Sequence, residues 1–144
     1  MVLFRSIAIM IAFASMAALH QTLAAAPQRI ECPKEVGAAT IRLLAQPDGW
    51  KPYQSFPLKL NSAASTGGPP ELHADLAQFT TERNKKGRID TYDLSPPHPG
   101  GIWIKCGYGA SNEITLHKRL NDNIAQCTIT QNNTSPSEIE IVCR

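Results

Sequence analysis

From Ile102 onward, apolar residues fall at every second position: Ile102, Ile104 and Cys106, then Ile114 and Leu116, then Cys127 and Ile129, then Ile139, Ile141 and Cys143. Side chains along an extended backbone alternate between two faces, so this period gives each run one apolar side, and the runs read as pleated strands sharing a buried face. Three of the four cysteines lie on that stripe. Hydrophobic core and covalent cross-links therefore coincide, and the second half of the chain reads as β.

The cysteines need an oxidising compartment, and the start of the chain supplies a route to one. Arg5 is the only Lys, Arg, Asp or Glu before Arg29, and Ile7 to Leu19 is apolar except for Ser15, a run too short to span a bilayer. Residues 1–25 read as a secretory signal peptide cut after Ala24 or Ala25. The residues before Cys32 are Gln28, Arg29, Ile30 and Glu31, which do not make a lipobox. Residues 26–144 are then read as a single domain, since about 120 residues suit one core and are too few for two.

With 14 basic and 12 acidic residues the charge is nearly balanced, which argues against nucleic acid or an anionic membrane as partner. All 11 prolines and 9 glycines lie beyond residue 26 and imply many short segments separated by turns. Four cysteines in an exported chain imply two disulfides, for which three connectivities exist and spacing does not choose. The pairing favoured here joins Cys106 to Cys127 within the sheet and Cys32 to Cys143, tying the N-terminal segment to the last strand.

Earlier in the chain the signals are weaker. Ala39 to Leu44 reads as a strand, and Pro47-Asp48-Gly49 as a turn. Trp50, Tyr53 and Phe56 follow among prolines. Large aromatics are mostly buried, which would have Trp50 and Phe56 capping the core; the same loop position makes Trp50 and Tyr53 candidate contacts. Phe56 to Leu60 alternates as an edge strand, Ser62 to Pro70 reads as a loop, and Leu72, Leu76 and Phe79 have the spacing of a short helix. Arg83 to Arg88 carries four positive charges around Asn84 and Gly87 and reads as a solvated hairpin tip. Ile89 to Leu94 is a strand, and Ser95 to Gly101 a proline-rich loop holding His98.

No catalytic constellation is visible. His73, His98 and His117 have no partner at metal-ligand spacing and read as surface residues, no serine sits in a nucleophile elbow, and Asp90 and Asp93 point to opposite sides of their strand. Neither a metal nor a cofactor is implied, and the reading is a binding protein rather than an enzyme. The fold expected is all-β: a single antiparallel sandwich or flattened barrel of seven to eight short strands, with room for one short helix, held by two disulfides.

Glu31-Cys32-Pro33, Gly68-Pro69-Pro70-Glu71 and Ile102-Trp103-Ile104-Lys105-Cys106-Gly107-Tyr108, leading to Cys127, resemble a family of small exported four-cysteine bacterial proteins. Members are encoded beside type VI effectors similar to L,D-transpeptidases and look like the matching periplasmic immunity proteins. The resemblance implies a protein that binds and occludes a cell-wall-targeting effector enzyme, with no membrane insertion once the signal is removed. It assigns no contact residues. From residue type and loop position the candidates are Trp50, Tyr53, His98 and Tyr108, with Lys85 and Lys86 steering the approach. The alternatives are an inhibitor of lysozyme or a similar glycosidase, and an envelope ligand-binding module.

Overall fold

The computed structural model describes residues 26–42, 45–135 and 137–144. The signal peptide read over residues 1–25 lies outside the described residues, as do Leu43 and Leu44 of the first expected strand. Among the described residues nine strands follow in chain order: β1 Gln28–Ile30, β2 Glu35–Val36, β3 Leu58–Thr66, β4 Phe79–Arg83, β5 Gly87–Asp93, β6 Trp103–Tyr108, β7 Ile114–Arg119, β8 Gln126–Asn132 and β9 Ile139–Cys143. They form two antiparallel sheets, one in the order β1-β9-β8-β5-β4 and one in the order β2-β3-β6-β7.

The alternating apolar stripe is real, but it is divided between the two sheets. Ile104 and Cys106 of β6 belong to the four-stranded sheet, and Cys127, Ile129, Ile141 and Cys143 of β8 and β9 to the five-stranded one. All six are buried, so the stripes form the two inner faces of a sandwich. Gln131 Nε2 donates to Asn61 O at 2.9 Å, which sets the Gly87 and Asn132 end of one sheet over the Leu60 end of the other.

This division corrects the cysteine pairing. Cys127 and Cys143 stand directly opposite each other in the β8–β9 ladder and are joined, with Cα atoms 4.1 Å apart. Cys106 lies across the core from both. It bonds instead to Cys32, with Cα atoms 6.0 Å apart. Cys32 lies between β1, which pairs with β9, and β2, which pairs with β3, so the N-terminal segment crosses from one sheet to the other and is pinned midway.

Three local expectations also change. Ala38–Thr40 is a single 3-10 turn rather than the start of a strand; its residues are exposed, and a strand there would bury little beyond Ile41. The Ser- and Thr-rich stretch from Ser62 is not a loop. It is the central part of β3, whose inward residues Ala63 and Ser65 are small because Tyr92 fills the space opposite, its phenol meeting the Ser65 backbone. The expected helix over Glu71 to Phe79 is reduced to the 3-10 turn Pro70–Leu72, ended by His73 at φ 48°. Beyond it the backbone is spent on pairing: Gly67 N donates to Asp75 O, and Ala77 N to Ser65 O.

The hairpin tip is as expected. β4 and β5 pair in register through Arg83 and Arg88, and Asn84 Oδ1 accepts from the Lys86 and Gly87 amides, closing the turn with both lysines in solvent. Asp90 faces inward and Asp93 outward on β5.

Two buried phenols give this core a ceiling in pH. Burial, and next the negative charge of Asp90, push Tyr92 up to about 12, against smaller opposing effects of Arg88 and the Ser65 backbone. Burial also raises Tyr108. A phenol held protonated by the fold but released by the unfolded chain stabilises fully below pH 10.0 and loses that contribution as pH rises toward about 12. Phenolate absorbance and denaturant midpoints followed over this window are expected to show stability falling as these tyrosines ionise. A flat midpoint across it would place both hydroxyls in water.

Candidate partner-binding surfaces

Each loop is tied to one end of the sandwich by its flanking strands. The loop ahead of β3 feeds in at Leu58, beside the β2 pairing, at the same end as the β4–β5 tip. Within it, Trp50 N donates to Pro47 O, Gly49 takes φ 79°, and the Gln46 side-chain amide holds the Trp50 carbonyl. The Pro-Asp-Gly turn thus forms as expected. Gln54 Nε2 anchors the next stretch on Val36 O and Phe56 O.

That turn presents its aromatics outward. Trp50 is 72%, Tyr53 88% and Phe56 79% exposed, so Trp50 and Phe56 do not cap the core. Of the residues singled out from sequence, the structure therefore places Trp50, Tyr53, Lys85 and Lys86 toward one end of the sandwich. His98 lies in the β5–β6 connection at the opposite end, where Leu94 N pairs with Ala125 O and Gly101 N with His98 O. Tyr108 points into the core with 0% exposure and offers no surface for a partner to contact.

His98 is half-buried rather than a surface residue. Its Nδ1 packs where a Cβ on Gly67 would sit, and its Nε2 is buried with no hydrogen-bond partner among the described residues. Asp93 lines the same shallow groove, its carboxylate accepting from Ser95 N at 3.0 Å and Ser95 Oγ at 2.6 Å. Those bonds, with a smaller effect of His98, hold Asp93 below the usual carboxylate range.

A second groove, of about 430 Å³, runs along the outer face of the four-stranded sheet. Its floor is Thr66 of β3, Lys105 of β6, and Thr115 and His117 of β7; its wall is the loop from Gly68 to Leu76. Lys105 and His117 are direct cross-strand neighbours, and the His117 Nε2 lies 3.1 Å from Thr115 Oγ1. The loop is held close because Gly68 and Gly100 meet backbone to backbone: a Cβ on Gly100 would lie 2.9 Å from the Gly68 Cα. Trp103 Nε1 locks the adjoining turn by donating to Gly100 O at 3.0 Å. A larger groove, about 940 Å³, opens between the N-terminal crossing and the β8–β9 hairpin, with Glu31, Lys34, Glu138 and Glu140 at its walls.

The Lys105 groove was not singled out from sequence, and His117 is half-buried rather than a surface histidine. The signal was the β6–β7 hairpin itself. Once Tyr108 pairs with Ile114, Lys105 must meet His117 on the outer face.

The type VI secretion system Tli immunity protein family matches residues 54–144, which take in β3 to β9 and the His98 and Lys105 grooves but not the Glu31 to Lys34 wall of the third. The chain belongs to that family. No curated protein and no solved structure matches it. Family membership makes a partner effector the ligand to look for. The matched segment contains Phe56, Lys85, Lys86, His98 and the whole Lys105 groove, whereas Trp50, Tyr53 and Cys32 precede it.

Proposed function

We propose that this member of the Tli immunity family is a periplasmic protein that binds the type VI effector of its own locus and blocks it sterically. The observation that carries this reading is the family match over residues 54–144. Two disulfides accord with an oxidising compartment, reached through the signal peptide read over residues 1–25. The resemblance carried by Gly68-Pro69-Pro70-Glu71 and Ile102 to Tyr108 adds the finer statement that the effector is a cell-wall-targeting enzyme of L,D-transpeptidase type.

The mechanism is occlusion by a surface that is ordered before binding. A sandwich with one disulfide tying the N-terminal crossing to β6 and another within the β8–β9 ladder loses little conformational freedom on association, so contact energy is not spent on ordering the body of the protein. Trp50 and Tyr53 supply the exposed aromatic anchors, and Lys85 and Lys86 at the same end raise the encounter rate with an acidic surface.

Co-export of the protein with its locus's effector is expected to restore growth that the effector alone abolishes. Replacing Trp50 and Tyr53 together by alanine is expected to weaken effector binding about 30-fold or more, the scale of lost interface anchors, with near-UV circular dichroism unchanged. Full protection without any detectable complex would overturn occlusion; unchanged affinity in the double variant would remove the aromatic anchors from it.

A further inference from the structure

Lys105 is half-buried and makes no ion pair among the described residues. Its neighbours across the ladder are Ala64 on β3 and His117 on β7, and the ion pairs among the described residues, Arg29–Glu140, Arg88–Asp90 and Arg119–Asp122, leave it out. A lysine stem can lie along a sheet face at little cost, but partial burial of the ammonium is unfavourable until an anion meets it. His117 does not add to the charge at neutral pH. Burial first, and then the charge of Lys105, hold its pKa below the ordinary histidine range, while Glu71 pulls weakly the other way. His73 and Asp75 line the loop wall and Glu71 lies near enough to act on His117, but all three are exposed, where solvent screens their charges.

The groove's rim has the opposite character. Leu76, which lines the wall, is 49% exposed, and Leu72 on the same loop, outside the lining, is 67% exposed. A cationic floor beside an apolar rim fits an acidic side chain flanked by apolar residues on a folded partner. Two of the three stretches through which the chain resembles exported immunity proteins, Gly68 to Glu71 and Ile102 to Tyr108, meet here, and every lining residue falls inside the matched segment.

We propose that the groove between the Gly68–Leu76 loop and the outer face of β6 and β7 seats an acidic side chain of the effector on Lys105, with Leu76 packing beside it. This rests on the effector-binding reading and adds to it the residue that sets charge specificity. The aromatic loop then supplies affinity from one end of the sandwich, and Lys105 selects which effector is accepted.

The test is calorimetric titration of the purified effector into the full mature protein and its variants. Lys105→Glu is expected to bind about 30-fold more weakly or worse, Lys105→Met to lose much of the affinity, and Lys105→Arg and the remote charge control Arg29→Glu, on the edge strand β1 of the other sheet, to stay within about threefold of the unsubstituted protein. Circular dichroism and intact disulfide mass confirm that each variant is folded. A Lys105→Glu variant that is misfolded leaves the decision to Lys105→Met, which removes the charge and keeps the stem. Binding by the unsubstituted protein together with undiminished binding by Lys105→Met and Lys105→Glu overturns the seat alone. If the unsubstituted protein does not bind the effector, the function proposed above falls, and this site with it. A compensating Asp or Glu to Lys change in the effector that restores binding to Lys105→Glu identifies the seated residue.

Discussion

Replacing Cys32 and Cys106 together by serine is expected to lower the free energy of unfolding by about 4 kcal/mol, against about 3 kcal/mol for Cys127 and Cys143. The difference follows from the chain length each bond closes, 74 residues in the first case and 16 in the second. A longer loop has more unfolded-state freedom to lose. The two loops do not overlap in sequence, so the losses should add, and together they rival the whole stability of an ordinary domain. The Cys32–Cys106 variant should also release the N-terminal crossing first, because β1 and β2 contribute only three and two residues of pairing. Urea titration gives the magnitudes, and hydrogen exchange of residues 28–36 gives the order of release. A Cys32/Cys106 variant losing less than the Cys127/Cys143 variant would overturn the loop-length account.

That pairing was only partly legible in the sequence. The last hairpin was: with a turn between Gln131 and Ser137, Ile139 opposes Gln131, and counting four residues back along each strand puts Cys143 opposite Cys127. Periodicity alone hid this, because a period of two says which residues face inward without saying which sheet they belong to. Cys106 shares the inward stripe with Cys127 and Cys143, and only the sheet assignment separates them. Cys32 was out of reach for a different reason. Strands of three and two residues carry too little pattern to reveal that the segment between them crosses the sandwich.

β3 shows a second limit. A run of Ser, Ala and Thr has the composition of a loop, and its place at the centre of a sheet depends on the large residue that faces it from the other sheet. The site follows the same logic. Trp50 and Tyr53 could be proposed from residue type, but their exposure depends on the course of a loop tied down by the Gln46 and Gln54 contacts, which no periodicity reveals. Tyr108 looked like a loop residue between two glycines and is instead the last inward residue of β6. Lys105 was plain in the sequence; its lack of an ion pair among the described residues was not.

Asp90 should prove the most sensitive residue to substitution outside the cysteines. Its side chain is 5% exposed inside the sandwich, accepting a hydrogen bond from Thr81 Oγ1 at 2.7 Å and lying 3.0 Å from Arg88 Nε. The second contact is an ion pair by distance rather than a well-directed hydrogen bond. Asp90→Ala removes the acceptor from Thr81 and the counter-charge from Arg88, at an expected cost of about 2 to 4 kcal/mol. The lower part of that range reflects Arg88, whose side chain is 37% exposed and can turn to water. Asp90→Asn keeps an acceptor for Thr81 and should lose about half as much. Asp90→Leu combined with Arg88→Met replaces the pair by apolar volume and should recover to within about 1 kcal/mol of the unsubstituted protein. Tyr92 supplies an independent reading, since the charge of Asp90 helps to raise its pKa: in Asp90→Asn the buried phenol should ionise at lower pH. If Asp90→Ala shifts neither the urea midpoint nor the Tyr92 titration, the carboxylate is solvated and the interior polar cluster contributes nothing to the fold.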